Sequence, residues 1–160
     1  NIGHFIISES LFVGLSNSIK KFKRIIKNKK MKIFGIGTDI VNIKRIDKIL
    51  KKKNSNFKNR IFSSREIIYC DNKKNPSSYY AKRFAAKEAF TKALGTGINK
   101  GISLKNIEIF NDSLGKPKIK LRGRVNNFLK RKIKKKKYNI YISLSDDAPW
   151  AQATVIISYK

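Results

Sequence analysis

Two acidic side chains are candidates for chemistry in a chain that carries 10 Asp and Glu residues against 38 Lys and Arg. Asp39 follows two closely spaced glycines, and Glu88 lies among cations in an alanine-rich segment. Their carboxylate oxygens suit Mg²⁺, which takes one or two protein carboxylates and completes its shell with water and substrate phosphates. A structural interpretation also exists, because Glu88 and Lys92 form an i,i+4 pair and Asp39 can cap the next helix. On spacing alone, the structural interpretation is favoured over the metal site.

A predicted strand and a predicted helix position these two carboxylates. The β-branched residues of the segment 32–41 predict a strand, whose alternation places Gly35, Gly37 and Asp39 on one face. Glycines leave that face open to close approach by another group. The segment 77–94 predicts the best helix of the chain, which ends at Gly95 as is typical of a helix C-terminus.

The other segments predict strands and helices in mixed order. Apolar residues at helical spacing predict a helix at 43–50, and Ser63 with Glu66 fits a capping box that opens a short helix. Another helix is predicted at 124–133, and the segment 51–59 is predicted to be a polar connection. Four further strands are predicted at 107–110, 118–121, 138–145 and 150–158. The predicted fold class is therefore α+β, with a mainly antiparallel sheet packed with helices.

Cysteine and histidine usage excludes several other kinds of site. The single cysteine, Cys70, excludes a disulfide framework and any multi-cysteine metal site. It follows three apolar or aromatic residues, so we interpret it as a buried packing residue rather than a nucleophile. No His-rich or Cys-rich set competes for a softer metal. No apolar run approaches the roughly 20 residues needed to cross a bilayer, so no transmembrane segment is predicted.

The formal net charge of +28 predicts acidic partners, such as nucleic acid, an anionic membrane, an acidic protein or a phosphorylated small molecule. Two alternatives to an enzyme follow from this charge. The first is a nucleic-acid-binding module, but the sequence has no helix-turn-helix, RNP-like or zinc pattern and its basic runs are scattered. The second is a membrane-associated protein held by a basic N-terminal helix. Neither explains Asp39, Glu88 and their flanking glycines.

The composition changes at Met31 and predicts two parts, a basic leader at 1–30 and one compact domain at 31–160. The stretch from Ile19 to Lys30 lacks acids and carries apolar residues at helical spacing. We interpret this leader as the remnant of an organelle transit peptide. An extra helix lying on the domain, or a membrane-surface helix, is the alternative. The predicted location is a plastid-type organelle, with the cytoplasm as the alternative.

Two separated strings carry a specific resemblance. GIGTDIVNIKRI (Gly35 to Ile46) and RFAAKEAFTKALGTG (Arg83 to Gly97) closely resemble the two signature segments of holo-[acyl-carrier-protein] synthases, the short-chain class of 4′-phosphopantetheinyl transferases. The second string matches Ala-x-Lys-Glu-Ala-x-x-Lys-Ala-x-Gly at every fixed position. RIFSSREIIY, GKP and ISLSDDAPWAQATVII resemble the rest of the family pattern. The likeness therefore runs from about Met31 to the C-terminus.

This resemblance implies a fold, a reaction and an assembly. The implied enzyme has the 4′-phosphopantetheinyl transferase fold and moves phosphopantetheine from coenzyme A to a serine of acyl carrier protein, releasing 3′,5′-ADP, in fatty acid biosynthesis. It implies a homotrimer with active sites at the subunit boundaries, and no specific binding of nucleic acid.

The resemblance also assigns roles to residues of this chain. Asp39 and Glu88 are expected to bind Mg²⁺, with Glu88 and Lys92 as the catalytic residues. The expected contacts to coenzyme A are Arg83, Lys87, Gly95 and Gly97. Arg45 is expected to contact the acidic acyl carrier protein, in a patch extended by Lys44 and Lys48. The family usually has Ser-His where this chain has Ser145-Asp146; we hypothesise that Asp146 is tolerated and acts behind the metal ligands.

Overall fold

The computed structural model describes residues 15–28, 31–52, 56–97, 101–134 and 136–160. It divides into two units, one that ends at Lys32 and one that spans Ile33 to Tyr159. In the first unit, helix α1 (Leu15–Asn28) has no acidic residue in its first turn. Residues 1–14 of the predicted leader lie outside the described residues. Its interpretation as a transit remnant, and the organelle location, stay predictions.

Strand β1 (Lys32–Asn42) belongs to the second unit from Ile33 onward, and helix α2 (Ile43–Lys51) follows it directly. Asn42 ends the strand and caps the helix, because its Oδ1 accepts hydrogen bonds from the backbone N–H groups of Lys44 at 2.9 Å and Arg45 at 3.3 Å. This side chain satisfies donors that the first turn of a helix leaves unpaired. Asp39 is therefore not needed as the cap of α2.

Three helices follow, α3 (Phe57–Ile61), α4 (Ser64–Asp71) and α5 (Pro76–Leu94). The capping box of Ser63 and Glu66 is confirmed at the start of α4. Gly95 closes α5 in the left-handed conformation, with φ of 73°. Helix α3 lies where the sequence predicts a polar connection. The reason is its aromatic residue, because the ring of Phe57 packs 5.8 Å from the ring of Phe84 on α5.

A short 3₁₀ turn (Leu104–Asn106) leads into the hairpin of β2 (Ile107–Asn111) and β3 (Pro117–Leu121), and helix α6 (Gly123–Lys132) follows. Strands β4 (Tyr138–Asp147) and β5 (Trp150–Tyr159) form a second hairpin. Both hairpins are antiparallel, with Ile109 opposite Ile119 and Ile142 opposite Val155. The strands form two sheets, one in the order β1-β5-β4 and one of β2 and β3. The predicted α+β class is confirmed, with two sheets in place of one.

The core forms where α5 packs on β5. Small residues dominate both sides of this contact, with Ala85, Ala89 and Ala93 on the helix and Ala151 and Ala153 on the strand all buried. Short side chains let the two backbones approach closely, and larger residues such as Phe62 and Phe90 are fully buried in the same core. Burying such a large apolar side chain contributes about 1.5–3 kcal/mol. Across the described ranges, no helix is long and apolar enough to span a membrane.

Candidate active site

The glycines of β1 bring the strand against α5. A Cβ atom at Gly37 would lie 2.0 Å from the carbonyl oxygen of Ala89 and 2.6 Å from the backbone nitrogen of Ala93. A Cβ atom at Gly35 would lie 2.0 Å from the carbonyl oxygen of Ala93. Only glycine therefore fits at these two positions. The close contact places Asp39, which follows on the same strand, beside the helix that carries Glu88.

Asp39 is held by Lys92 of α5. The Lys92 ammonium donates to Asp39 Oδ1 at 2.8 Å and to the carbonyl oxygen of Thr38 at 3.0 Å. The Lys92 side chain is 53% exposed and the Asp39 side chain 17%. The Lys92 ammonium is therefore hydrogen-bonded to β1, while the Lys92 side chain remains accessible to solvent.

Glu88 has the least satisfied carboxylate of the site. Its Oε1 is buried without a hydrogen-bond partner among the residues that the structure describes. Burial raises the pKa of Glu88, repulsion by Asp39 raises it further, and Lys92 opposes the shift. Buried polar atoms are normally satisfied, and an unsatisfied one in a native structure often marks a missing water or ion. Two neighbouring hard carboxylates, one with a buried unpaired oxygen, fit a Mg²⁺ ion.

Glu88 also lines an open cleft of about 830 Å³. This volume lies within the range of about 300–1,000 Å³ that is usual for small-molecule sites. The apolar lining comes from four segments of the chain and consists of Ile49, Phe57, Ile61, Phe84, Ile102 and Leu104. Two cations, Arg60 and Lys105, stand at the same cleft. An apolar cleft with a few cations and one unsatisfied carboxylate suits a ligand that combines apolar and phosphate groups.

Comparison with known proteins decides the family. Residues 35–152 match the 4′-phosphopantetheinyl transferase superfamily. The chain is 45% identical to the holo-[acyl-carrier-protein] synthase of Pelagibacter ubique, over 81% of this chain and 100% of that protein. It is 46% identical to the synthase of Geobacter sp. strain M21, over 78% of this chain and 98% of that protein. The chain belongs to the 4′-phosphopantetheinyl transferase superfamily.

Solved structures of holo-[acyl-carrier-protein] synthases share its fold. The crystal structure of the synthase from Neisseria meningitidis has a TM-score of 0.71 and 40% identity, covering 79% of this chain and 98% of that one. The synthase from Bacillus anthracis, in complex with coenzyme A (3′,5′-ADP), has a TM-score of 0.66 and 34% identity, covering 82% and 100%. The phosphopantetheinyl transferase fold that the resemblance implies is thus confirmed.

In this transferase, Lys87 has a different role from the predicted contact to coenzyme A. Its side chain is 0% exposed, and its ammonium donates to Glu66 Oε2 at 2.9 Å and to the carbonyl oxygen of Leu104 at 3.0 Å. Burial lowers the pKa of Lys87, and Glu66 opposes that shift. The side chain is committed inside the protein, so the structure corrects the prediction to an internal role.

Arg83 is corrected in the same way. It is 2% exposed, donates to Asn111 Oδ1 at 3.1 Å, and lies 4.3 Å from the centre of the Tyr69 ring. Such a planar cation packs well on an aromatic face. The guanidinium therefore joins α5 to α4 and β2 within the chain, and no open surface of it is left for coenzyme A in the single chain.

The other predicted ligand contacts lie on the surface. Gly95 and Gly97 follow the end of α5 with φ of 73° and 58°, and both are exposed. Their backbone is accessible one turn beyond Lys92, and a contact with coenzyme A stays a prediction. Arg45, Lys44 and Lys48 are exposed together on α2. They form one basic patch, and its contact with acyl carrier protein also stays a prediction.

Asp146 lies away from Glu88 along α5. Lys82 donates to Asp146 Oδ1 at 2.7 Å, and the hydroxyl of Ser78 donates to Oδ2. Lys82 precedes Glu88 by six residues, which is roughly 9 Å along a helix axis. Within one chain Asp146 therefore ties β4 to the first half of α5, and a role behind the metal ligands stays a hypothesis.

Several residues around the site carry no clear signal in the sequence. Arg60 and Lys105 line the cleft, but a single cation in a lysine-rich chain gives no signal of its own. Glu66 has the spacing of a helix cap, and nothing in that spacing indicates its pairing with Lys87. Cys70 is buried as predicted, and burial raises its pKa to about 11, which suits a packing residue and not a nucleophile.

Proposed function

We propose that this chain transfers 4′-phosphopantetheine from coenzyme A to a serine of acyl carrier protein, with Mg²⁺, and thereby serves fatty acid biosynthesis. The observation that carries the proposal is the arrangement at Glu88. A buried carboxylate oxygen of Glu88, without a partner among the described residues, lies near a second carboxylate, Asp39, at a cleft of ligand size, inside the sequence motif shared with the synthases.

Each residue of the site has a task in this reaction. Asp39 and Glu88 would hold Mg²⁺, which when bound supplies a Lewis acid and an anchor for the diphosphate of coenzyme A. The open side of Lys92 can meet phosphate oxygens and balance the charge that grows on the departing 3′,5′-ADP. The serine hydroxyl releases its proton to solvent as its oxygen bonds to the β-phosphorus, while the bond from that phosphorus to 3′,5′-ADP breaks. Phosphoryl transfer depends mainly on such positioning and charge balance.

The basic patch of α2 supports the choice of partner. Arg45, Lys44 and Lys48 are exposed on one short helix directly after the strand that carries Asp39. Exposed charges of this kind mainly speed association and fix orientation, and salt weakens them. An acidic carrier protein approaching α2 would bring its serine toward the Asp39 end of β1.

The transfer assay tests the proposal. The chain is incubated with coenzyme A, Mg²⁺ and apo acyl carrier protein, and the carrier's mass is measured. We expect the wild-type chain to add one phosphopantetheine and Glu88→Gln to be slower by at least about 100-fold. Because the Gln side chain removes a buried charge, the Tm of Glu88→Gln without metal should not fall.

Asp112→Asn makes the same kind of change in the exposed turn between β2 and β3 and should transfer like wild type. Retained transfer by Glu88→Gln would remove this residue from the machinery. A wild-type chain that leaves the carrier unmodified and binds nucleic acid tightly at physiological salt would favour the nucleic-acid-binding alternative.

We also propose a homotrimer with active sites at the subunit boundaries. Ile36 and Ile40 each remain 60% exposed on the same face of β1, which is unusual for large aliphatic side chains so close together on one strand. Burial against another copy would cover them. We expect the wild-type chain to sediment at three times the mass of a single chain, and Ile36→Lys to lose that assembly. A wild-type chain that sediments as a monomer would contradict the proposal.

A further inference from the structure

The buried Lys87 ammonium uses all three of its donors on different parts of the chain. It donates to Glu66 Oε2 at 2.9 Å, to the carbonyl oxygen of Leu104 at 3.0 Å and to the carbonyl oxygen of Ile107. An ammonium has three donors and no acceptor, so its hydrogen-bonding capacity is filled. One side chain of α5 thus joins α4, the 3₁₀ turn and the start of β2.

Glu66 is equally committed on the other side of the pair. Its Oε2 also accepts the backbone N–H of Ser63 at 2.8 Å, and its Oε1 accepts the backbone N–H of Ile109 at 3.1 Å. The carboxylate is 1% exposed. The Lys87–Glu66 pair therefore fixes the end of the α3–α4 connection, the middle of α5 and strand β2 at a single buried point.

That point lies directly behind the cleft. Lys87 precedes Glu88, which lines the cleft from α5. Leu104, whose carbonyl Lys87 holds, lines it from the segment before β2, next to the cation Lys105. Ser63, which Glu66 holds, follows the α3 wall by two residues. Three walls of the cleft are thus joined through this pair.

Stability alone does not account for such a pair. Removing two charges from water costs several kcal/mol per ion, and well-packed apolar residues of similar volume are often as stable or more so. Breaking only one partner is strongly destabilising, because the other charge is left buried and unpaired. What the charged pair supplies, and an apolar pair does not, is directional bonding to two carbonyls and two backbone N–H groups.

We propose that Lys87 and Glu66 are positioning residues, which set the distance between Glu88 and the Leu104–Lys105 wall so that the cleft fits coenzyme A. This inference rests on the proposed function, since it concerns the same site. Partners that hold the residues of a metal site in place typically contribute about 10- to 100-fold to metal affinity or activity. The pair contacts no substrate and acts only through the walls it joins.

The test separates positioning from stability with two variants. Lys87→Met leaves the Glu66 carboxylate buried without its cation and should lower the Tm strongly. The neutral double variant Lys87→Met/Glu66→Gln removes both charges and should recover most of that loss. If the pair positions the cleft, the double variant should bind coenzyme A about 10-fold more weakly than wild type, even though its stability is largely recovered. Binding is measured by calorimetry with Mg²⁺ present, at a temperature well below the Tm of the double variant.

Hydrogen exchange gives a readout that needs no ligand. The backbone amides of segment 101–107 should exchange faster in the double variant than in wild type, because two of its carbonyls lose their buried donor. Arg122→Met is the matched control. It removes the cation that pairs with Glu108, a buried carboxylate that lies outside the cleft. We expect this control to lower the Tm without changing the affinity for coenzyme A.

A double variant with wild-type affinity for coenzyme A and wild-type exchange at 101–107 would overturn the inference. Equal losses of affinity in Arg122→Met and in the double variant would also overturn it, because general destabilisation would then be the cause. The two proposals fail separately. The wild-type transfer assay tests the proposed function. The ratio of the Kd for coenzyme A in the double variant to that in wild type tests the positioning role.

Discussion

Lys92 pairs with Asp39 across the strand–helix contact, at 2.8 Å, and not with Glu88 on its own helix. The favourable i,i+4 spacing of Glu88 and Lys92 is therefore not used as a helix salt bridge. The charge of Asp39 is thus balanced by Lys92. Glu88 has a buried oxygen without a partner in the part of the chain that the structure describes. The two carboxylates are chemically unequal before any ligand arrives.

This inequality predicts the effect of Lys92→Met on the pH dependence. Lys92 lowers the pKa of Glu88 against burial and the repulsion of Asp39, so removing the lysine should raise that pKa further. Glu88 must be ionised to serve as a ligand, and activity is lost as pH falls through its pKa. The acid limb of kcat/KM, which reports free-enzyme groups, should move to higher pH. The rate at the optimum should fall by about 100-fold.

Two controls separate charge from general effects in this experiment. Lys120→Met removes an exposed lysine of β3 and should leave the profile unchanged. Lys92→Arg keeps the charge and should hold the acid limb near its wild-type position even if the rate falls. An acid limb that stays in place in Lys92→Met would show that Lys92 does not act on Glu88.

Gly37→Ala should disrupt both the fold and the site. The new Cβ would lie 2.0 Å from the Ala89 carbonyl oxygen, which belongs to the helix backbone and cannot move aside alone. Overpacking of this kind costs about 1–3 kcal/mol or more. Because β1 would be pushed from α5, we expect denaturant unfolding to show a lower free energy of unfolding and the transfer assay to show lost activity.

Gly115→Ala is the comparison for this substitution. Gly115 has φ of 80°, but no described atom lies within 4 Å of the position that an added Cβ would take, so the change introduces backbone strain without a clash. That strain costs about 1 kcal/mol and should leave transfer unaffected. Equal activity in Gly37→Ala and wild type would mean that the close approach of β1 to α5 does not position Asp39.

The predictable parts of the fold are those set by local chemistry. Helix α5 follows from its alanine content and from Gly95, the capping box from Ser63 and Glu66, and the hairpins from their alternation. The face of β1 that carries Asp39 follows from the two-residue period of a strand. These features depend on neighbours within a few residues, which the sequence displays directly.

The roles of Arg83 and Lys87 depend on distant partners and could not be predicted. Periodicity places both cations off the apolar stripe of α5, but the helix is buried on several sides and both are enclosed. Their side-chain partners, Asn111 for Arg83 and Glu66 for Lys87, lie elsewhere in the chain. The apolar periodicity of a helix indicates which residues are exposed only when one face of the helix lies against solvent. Because α5 is enclosed at Arg83 and Lys87, its periodicity does not reveal that both cations are buried.

Asp146→Asn tests the contact that replaces the histidine of the family pattern. Burial raises the pKa of Asp146, but hydrogen bonds from Lys82 and Ser78 outweigh burial and hold it below its ordinary value of 3.8. A carboxyl whose pKa is lowered by folding adds stability above its unfolded pKa, and that stability is lost as pH falls through the folded value. Urea unfolding should therefore show wild type more stable than Asp146→Asn near neutrality, with the difference shrinking below about pH 4.

The neighbouring Asp147→Asn is the matched control, because it changes an adjacent exposed carboxylate, whereas Lys82 pairs with Asp146. Its stability near neutrality should stay close to that of wild type. Lys82 and Ser78 lie in the first half of α5, away from Glu88. If Asp146 acts only within its own chain, Asp146→Asn should therefore leave Mg²⁺ affinity unchanged. A large loss of Mg²⁺ affinity would instead place Asp146 behind the metal ligands, through a neighbouring subunit of the proposed trimer.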